Sequence, residues 1–301
     1  MFERLEDVTY EAFGIDPKEF YRNKFNSVPH TDYFANPVNK FLLGAERMRY
    51  LASRLSGGRV LDVGCGGGPY GMTIKNNRLA DYLVGIDLDP DCVRRAGEYY
   101  DQVEVFEALT ELPFPDGSFD AVISSDFFGH VEFRYKDALV SEIARVLKPG
   151  GRTVHLIESA NYDYLKCDPD DPEDPLRQYV FVDGHVGVES PEAIKRRFVP
   201  FFENVSLRNA MLFPFFTVQG FINNEKFFDK DFIELLRNFS PAEAQAADIV
   251  SGFICDFMEK KLLEENTDNL DPTLERNLPQ LFQAGCGMVF LSADKARQEE
   301  V

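Results

Sequence analysis

One stretch limits what this chain can fold into more than any other: Val60-Leu-Asp-Val-Gly64-Cys-Gly66-Gly-Gly68-Pro-Tyr-Gly71. A short apolar strand runs into a glycine loop and then into a helix. Glycine permits the tight turn and lets a ligand approach the main chain. Loops of this kind belong to open α/β sheets, which hold ligands at the carboxyl ends of their strands. Two details narrow the ligand. A dinucleotide loop counted from Gly64 needs glycine at 69, where Pro69 stands, and a triphosphate loop needs a Gly-Lys-Ser/Thr ending that is absent. Asp62, at the strand end, repels a pyrophosphate and suits a ligand with an amino group or a positive charge.

The chain around this loop reads as α/β. Strand-like segments at Arg59–Val63, Tyr82–Asp87, Gln102–Phe106, Phe119–Ser124 and Thr153–Ile157 alternate with helical segments at about 70–78, 90–99 and 135–147. That alternation implies a mostly parallel sheet covered on both faces, with right-handed crossovers. Residues 56–158 are therefore read as a doubly wound sheet. Ser190 followed by Pro191 marks a further helix start. Asn204–Met211 and Gly287–Ser292 read as a sixth and a seventh strand. The 72 residues between them, 214–285, hold ten of the chain's 28 phenylalanines and read as a mostly helical insertion. Residues 1–55 read as helical and irregular, with helical spacing over Glu19–Phe25 and Lys40–Leu55. The segment between these two is broken by Pro29 and Pro37.

Second in weight is Asp87, at the end of the second strand and 21 residues past Gly66 (87 minus 66). A carboxylate there accepts both hydroxyls of a ribose, as in dinucleotide sites. Charge points to a small ligand. With 51 acidic and 32 basic residues the chain carries −19, a surface that repels phosphate backbones and anionic membranes. The five cysteines, 65, 92, 167, 255 and 286, are scattered and contain no Cys-x-x-Cys. They argue against a zinc site or a disulfide framework and for a reducing compartment. The acidic N-terminus is no signal peptide, and no apolar run of about 18 residues occurs. The expectation is a soluble, cytoplasmic protein that holds no metal. Cys167-Asp-Pro-Asp-Asp-Pro-Glu-Asp-Pro175 is read as a solvated loop, with a Ca²⁺ site as the alternative.

Four segments carry a family resemblance: VLDVGCGGGPYG, VGIDLDP, LPFPDGSFDAVIS and EIARVLKPGGR. In this order and spacing, over about residues 58–160, the chain resembles class I S-adenosylmethionine-dependent methyltransferases. More narrowly it resembles their small-molecule branch of the ubiquinone/menaquinone-biosynthesis type. The resemblance implies a seven-stranded Rossmann-like sheet with the last strand antiparallel, and S-adenosyl-L-methionine as cofactor. It implies that Asp62, Gly64, Cys65 and Gly66 line the methionine and ribose part. Asp87 would take the ribose hydroxyls and Leu88 would pack on the adenine. The family's Asp-Ala before the LPF segment is here Glu107-Ala108-Leu109, which leaves open whether Glu107 or a backbone group meets the adenine.

Ser124 and Ser125 follow the fourth strand and are read as facing the cofactor, with His130 beyond them at the acceptor. His130 is the candidate general base, since imidazole titrates near neutrality; a packing histidine at a helix start is the alternative. His155 reads as core; His185, before a helix, and His30, in an N-terminal loop, have reach into the site only as the lesser reading. The activity expected is methyl transfer to an O, N or C atom of a small, partly apolar molecule. Protein or tRNA methylation and a non-catalytic cofactor-binding subunit are the alternatives. Residues 1–55 are then expected to form a lid, and 214–285 a Phe-rich cap over the acceptor, with a dimerisation element as the alternative. The core is expected to comprise 56–213 and 286–295. A homodimer is compatible with the sequence.

Overall fold

The computed structural model describes residues 2–27, 50, 51, 53–160, 162–210, 218–223, 229–250 and 287–297. Seven strands form one sheet: β1 Arg59–Val63, β2 Tyr82–Asp87, β3 Gln102–Val105, β4 Phe119–Ser125, β5 Leu147–Ser159, β6 Glu203–Ala210 and β7 Gly287–Asp294. Their order is β3-β2-β1-β4-β5-β7-β6. β1 to β5 run parallel, and β7 runs antiparallel to both β5 and β6. This is the doubly wound, seven-stranded sheet expected from the sequence. Chain order reverses between β1 and β4, and such a reversal opens a crevice at the carboxyl ends of the strands.

Alternation along β1 sorts the core onto two faces, because successive side chains of a strand point to opposite sides. Leu61 and Val63 join Val84, Ile86, Val122, Leu139 and Ile143 on one face. Val60 joins Leu83, Ile123, Ile74, Tyr100 and Phe290 on the other. Five helices of the sheet domain are α2 Pro69–Asn76, α3 Pro90–Ala96, α4 Phe133–Val146, α5 Pro175–Asp183 and α6 Pro191–Phe198, with α1 Pro17–Ser27 before them. Proline at the first helical position pre-sets the backbone. Asp89, Asp174 and Ser190 cap α3, α5 and α6 through side-chain oxygens that accept backbone N–H groups. Asp174 thereby turns the acidic Cys167–Pro175 segment into a helix start, and it also accepts the Asp168 amide.

The N-terminal segment is tied to the sheet domain. Val8, Tyr10 and Phe13 pack with Phe133, Tyr164, Val180 and Val186. The Tyr10 amide donates to Glu132 Oε1 at 2.8 Å, and its hydroxyl donates to the Gly184 carbonyl at 2.7 Å. Residues of the expected helix over 40–55 lie largely outside those described. Within the insertion, α7 Val218–Asn223 and α8 Lys230–Arg237 pack together through Val218, Ile233 and Leu236. Most of the ten phenylalanines there lie outside the described residues. No helix among the described residues is long and apolar enough to cross a membrane.

Candidate active site

Parallel register brings the strand ends level. Asp62 pairs with Gly85 and Val63 with Ile86, so the loop after β1 stands beside Asp87. Asp87 pairs with Val105, which brings Phe106 to Leu109 alongside. With the residues after β4 and the N-terminal segment, these ends wall a cavity of about 530 Å³. Gly64, Cys65, Gly66, Asp87, Leu88, Glu107, Ala108, Leu109, Ser125 and His130 all line it.

The loop is shaped to expose its main chain. Gly64 has φ +74, and a β-carbon there would meet the Phe127 ring at 2.6 Å. Gly66 has φ +54, and a β-carbon there would meet nothing within 4 Å, because that part of the loop faces the cavity. Asp87 Oδ2 accepts the Gly66 amide and Oδ1 accepts the Asp89 amide, both at 2.9 Å. Burial pushes the Asp87 carboxyl above its ordinary value, and these amides oppose the shift. Each oxygen keeps a lone pair for a donor from the cavity, so the ribose diol of an adenosyl group fits here. Glu107 instead pairs with Lys18 across 3.6 Å at the rim, a half-exposed contact that contributes little. Ala108 and Leu109 line the cavity next to it and add apolar atoms to this end.

Two expected cofactor contacts point elsewhere. Asp62 is only 2% exposed and does not line the cavity. Its Oδ2 accepts the Tyr100 hydroxyl at 2.6 Å, on the face opposite Leu61 and Val63. Ser124 is turned into the core, where its Oγ bonds His155 Nδ1 at 2.7 Å. Strand alternation is the reason: Ser125, the next residue, takes the cavity side. There Ser125 bonds Tyr70 and Asp126 at 2.7 Å each.

Tyr100 braces the loop, and no motif announces it. Its ring fills space that would hold β-carbons at Gly71 and Gly85, and it lies 3.3 Å from where one would stand at Gly68, with Tyr99 nearer. Its hydroxyl accepts the Gly71 amide at 3.1 Å while donating to Asp62. The signal was present in Gly85, since glycine inside a strand marks close approach of another group. Burial pushes the Asp62 carboxyl up to about 7 although the Tyr100 bond favours ionisation. The folded state therefore holds this proton more tightly than the unfolded chain does, between an ordinary 3.8 and about 7. Stability from this group is fully present below that window and is lost as pH rises through it. Asp62→Asn keeps an acceptor for Tyr100 and removes the titration. The melting temperature of the wild type is expected to fall relative to Asp62→Asn as pH rises from 4 to 8, a window set by the same shift. Parallel pH profiles for the two proteins would remove Asp62 as the cause.

His130 sits on a short 3-10 turn, Phe128–His130, after β4. Its Nδ1 lies 2.8 Å from the Tyr21 hydroxyl and 3.1 Å from the Gly184 carbonyl. Burial holds the imidazole down at about 4, so the ring is neutral at physiological pH. His185 stacks at a tilt beside it with centroids 4.5 Å apart, and both rings face Glu158. Burial works to raise Glu158, but His185 and His130 outweigh it and hold the carboxyl below its ordinary range. His155 is core, as expected, and burial pushes it down to about 3. His30 lies outside the described residues. Tyr10, Tyr21 and Lys24 close the cavity from the N-terminal side. The sequence names none of these three side chains, because no local pattern marks which residues of an N-terminal segment face a cavity.

A family model described as "Methyltransferase domain" matches residues 61–155. Those residues are a class I methyltransferase domain. Over 137 residues the chain is 34% identical to fatty-acid O-methyltransferase of Mycolicibacterium smegmatis, covering 43% of this chain and 47% of that one. Over 118 residues it is 37% identical to ubiquinone biosynthesis O-methyltransferase of Xanthomonas oryzae pv. oryzae, covering 36% and 48%. The matched stretch thus spans about half the length of these relatives. Among solved structures, phospholethanolamine N-methyltransferase 2 of Haemonchus contortus, bound to S-adenosylhomocysteine, overlays with a TM-score of 0.57. That likeness covers 94% of this chain and 61% of that one at 18% identity, so it speaks for the fold alone. S-adenosylmethionine is the cofactor of a methyltransferase domain of this type, and the cavity of this one brings together a glycine loop, a buried carboxylate and apolar residues at 108 and 109.

Proposed function

We propose that the protein transfers a methyl group from S-adenosylmethionine to a small, partly apolar molecule. One observation carries this reading: the glycine loop and Asp87 open side by side into a cavity that continues past Ser125 to His130. The cofactor supplies a methyl group already activated on a sulfonium. What remains for the chain is to align the acceptor, exclude water and move a proton where the acceptor carries one. Alignment alone contributes about 7–11 kcal/mol in the best intramolecular cases. Tyr10, Tyr21, Phe127 and Tyr135 supply the apolar wall beyond the cofactor contacts. Relatives named for fatty-acid and ubiquinone O-methylation support an acceptor with an apolar body and an oxygen nucleophile. The charge of −19 supports a small acceptor over nucleic acid. His130 is the residue proposed to meet the acceptor, with the N-terminal segment as the lid.

Calorimetry with S-adenosylhomocysteine tests the cofactor half. Asp87→Ala is expected to weaken binding by about 1–3 kcal/mol, because the buried ribose hydroxyls lose a charged acceptor. Unchanged affinity sinks the role of Asp87. Incubation with methyl-labelled cofactor and either metabolite or protein extract tests the acceptor half. Label confined to protein would overturn the small-molecule reading.

A further inference from the structure

We propose that His130, Glu158 and His185 form a divalent-metal site on the wall of the cavity. The three residues come from three elements at the carboxyl edge of the sheet: the turn after β4, the end of β5 and the loop after α5. One ligand atom from each lies within 4.8 Å of the others. Glu158 Oε1 stands 3.6 Å from Nε2 of His130 and 3.6 Å from Nε2 of His185. Those separations are too long for hydrogen bonds. Glu158 Oε1 accordingly has no hydrogen-bond partner among the described residues, although the side chain is only 9% exposed. A buried carboxylate oxygen left in that state is costly unless a cation meets it.

The geometry favours a metal ion as that cation. Zinc bonded tetrahedrally to nitrogen and oxygen holds its ligands about 3.4 Å apart, close to the two 3.6 Å separations from Glu158 to the histidines. The outer contacts are also in place. Histidines that hold a metal present the other ring nitrogen to a carbonyl, carboxylate or similar partner, which fixes the tautomer. His130 Nδ1 donates to the Gly184 carbonyl at 3.1 Å, and His185 Nδ1 bonds the Tyr179 hydroxyl. With the proton on each Nδ1, the tautomer a metal selects, both Nε2 lone pairs are aimed at Glu158, and an ion between them joins the three. Glu158 Oε2 is steadied by the Gly129 amide at 3.0 Å. Gly184, at φ +76, makes the tight turn that delivers His185, and a β-carbon there would strike Phe20 and Tyr21 at 2.7 Å.

Two histidines and a glutamate leave a fourth position on zinc for a water or substrate oxygen, as in open catalytic sites. Because His130 lines the cavity, that position suits a hydroxyl or carboxylate oxygen of the acceptor. This consequence rests on the proposed methyl transfer; the metal site itself does not.

The test uses the full chain, stripped with chelator and titrated with Zn²⁺ and Co²⁺. The wild type is expected to take up one equivalent, with visible Co²⁺ bands of a tetrahedral centre. His185→Ala and Glu158→Gln are each expected to weaken uptake at least about 100-fold, and Tyr179→Phe about 10-fold, since outer partners matter less than ligands. S-adenosylhomocysteine binding, measured on the same samples, reports folding and is expected to stay unchanged; a variant that loses it is set aside in favour of the other. A wild type that binds neither ion, or folded variants that bind as the wild type does, overturns the site. Failure of the wild type to bind S-adenosylhomocysteine would instead strike the methyltransferase reading alone.

Discussion

Replacing His130 with alanine is expected to lower kcat by about 10²–10⁴-fold, the range for losing a positioned group at the reacting end of the acceptor. Affinity for S-adenosylhomocysteine is expected to hold, because the proposed cofactor contacts come from other residues lining the cavity, Gly64 to Gly67, Asp87 and the Ala108 region. His130 enters the cavity from a different element, the turn after β4. Its ring is held at Nδ1 by Tyr21 and Gly184, and its Nε2 faces Glu158 across 3.6 Å. Alanine removes the nitrogen and leaves a void beside Tyr21, so His130→Gln is the companion variant that keeps volume and a polar tip. Single-turnover rates with saturating cofactor separate the chemical step from binding. A kcat equal to wild type in both variants would make His130 a packing residue.

Gly71→Ala is expected to destabilise the fold by about 3 kcal/mol, the upper part of the usual range for overpacking, and to lower the melting temperature by roughly 6–12 °C. The new β-carbon would sit 2.1 Å from Tyr100 Cε2 and 2.5 Å from Cζ. Tyr100 has nowhere to retreat. Its ring is bracketed by Gly68 and Gly85, and its hydroxyl is bonded on both sides, to Asp62 and to the Gly71 amide. Relief has to come from α2, and moving α2 drags the glycine loop away from Asp87. Cofactor affinity is therefore expected to fall together with stability. Gly67→Ala is the control, since its β-carbon meets only Arg95 side-chain atoms, the nearest at 3.6 Å. Equal melting temperatures for the two variants would show that Tyr100 yields.

Legibility differed between the sheet and the site. Strands β1, β2 and β4 were readable almost to the residue, because buried parallel strands are short continuous apolar runs bounded by glycine and polar turns. β5 was read too short: it spans Leu147–Ser159, where Pro149, Gly150 and Gly151 interrupt the apolar pattern yet the ladder to β7 continues from Arg152. Caps were legible at Ser190 because the capping bond is made within one helical turn. Asp62 was misplaced for a reason of the same scale. Its chemistry suited a cationic ligand, but its alternation along β1 sends the side chain to the Tyr100 face.

Local order along the chain determined the parallel sheet, the glycine loop and the position of Asp87 at its mouth. Each of these depends on backbone conformation and on the period of apolar residues, which neighbouring positions encode. Tertiary structure alone decided what meets across the fold. It set Tyr100 against three glycines, Tyr21 from the N-terminal helix against His130, and Glu158 between two histidines that are 55 positions apart in the chain (185 minus 130). Such contacts join residues whose sequence surroundings carry no trace of one another. They arise only when strand register and helix packing bring distant elements to one edge of the sheet, and there the chemistry is assembled.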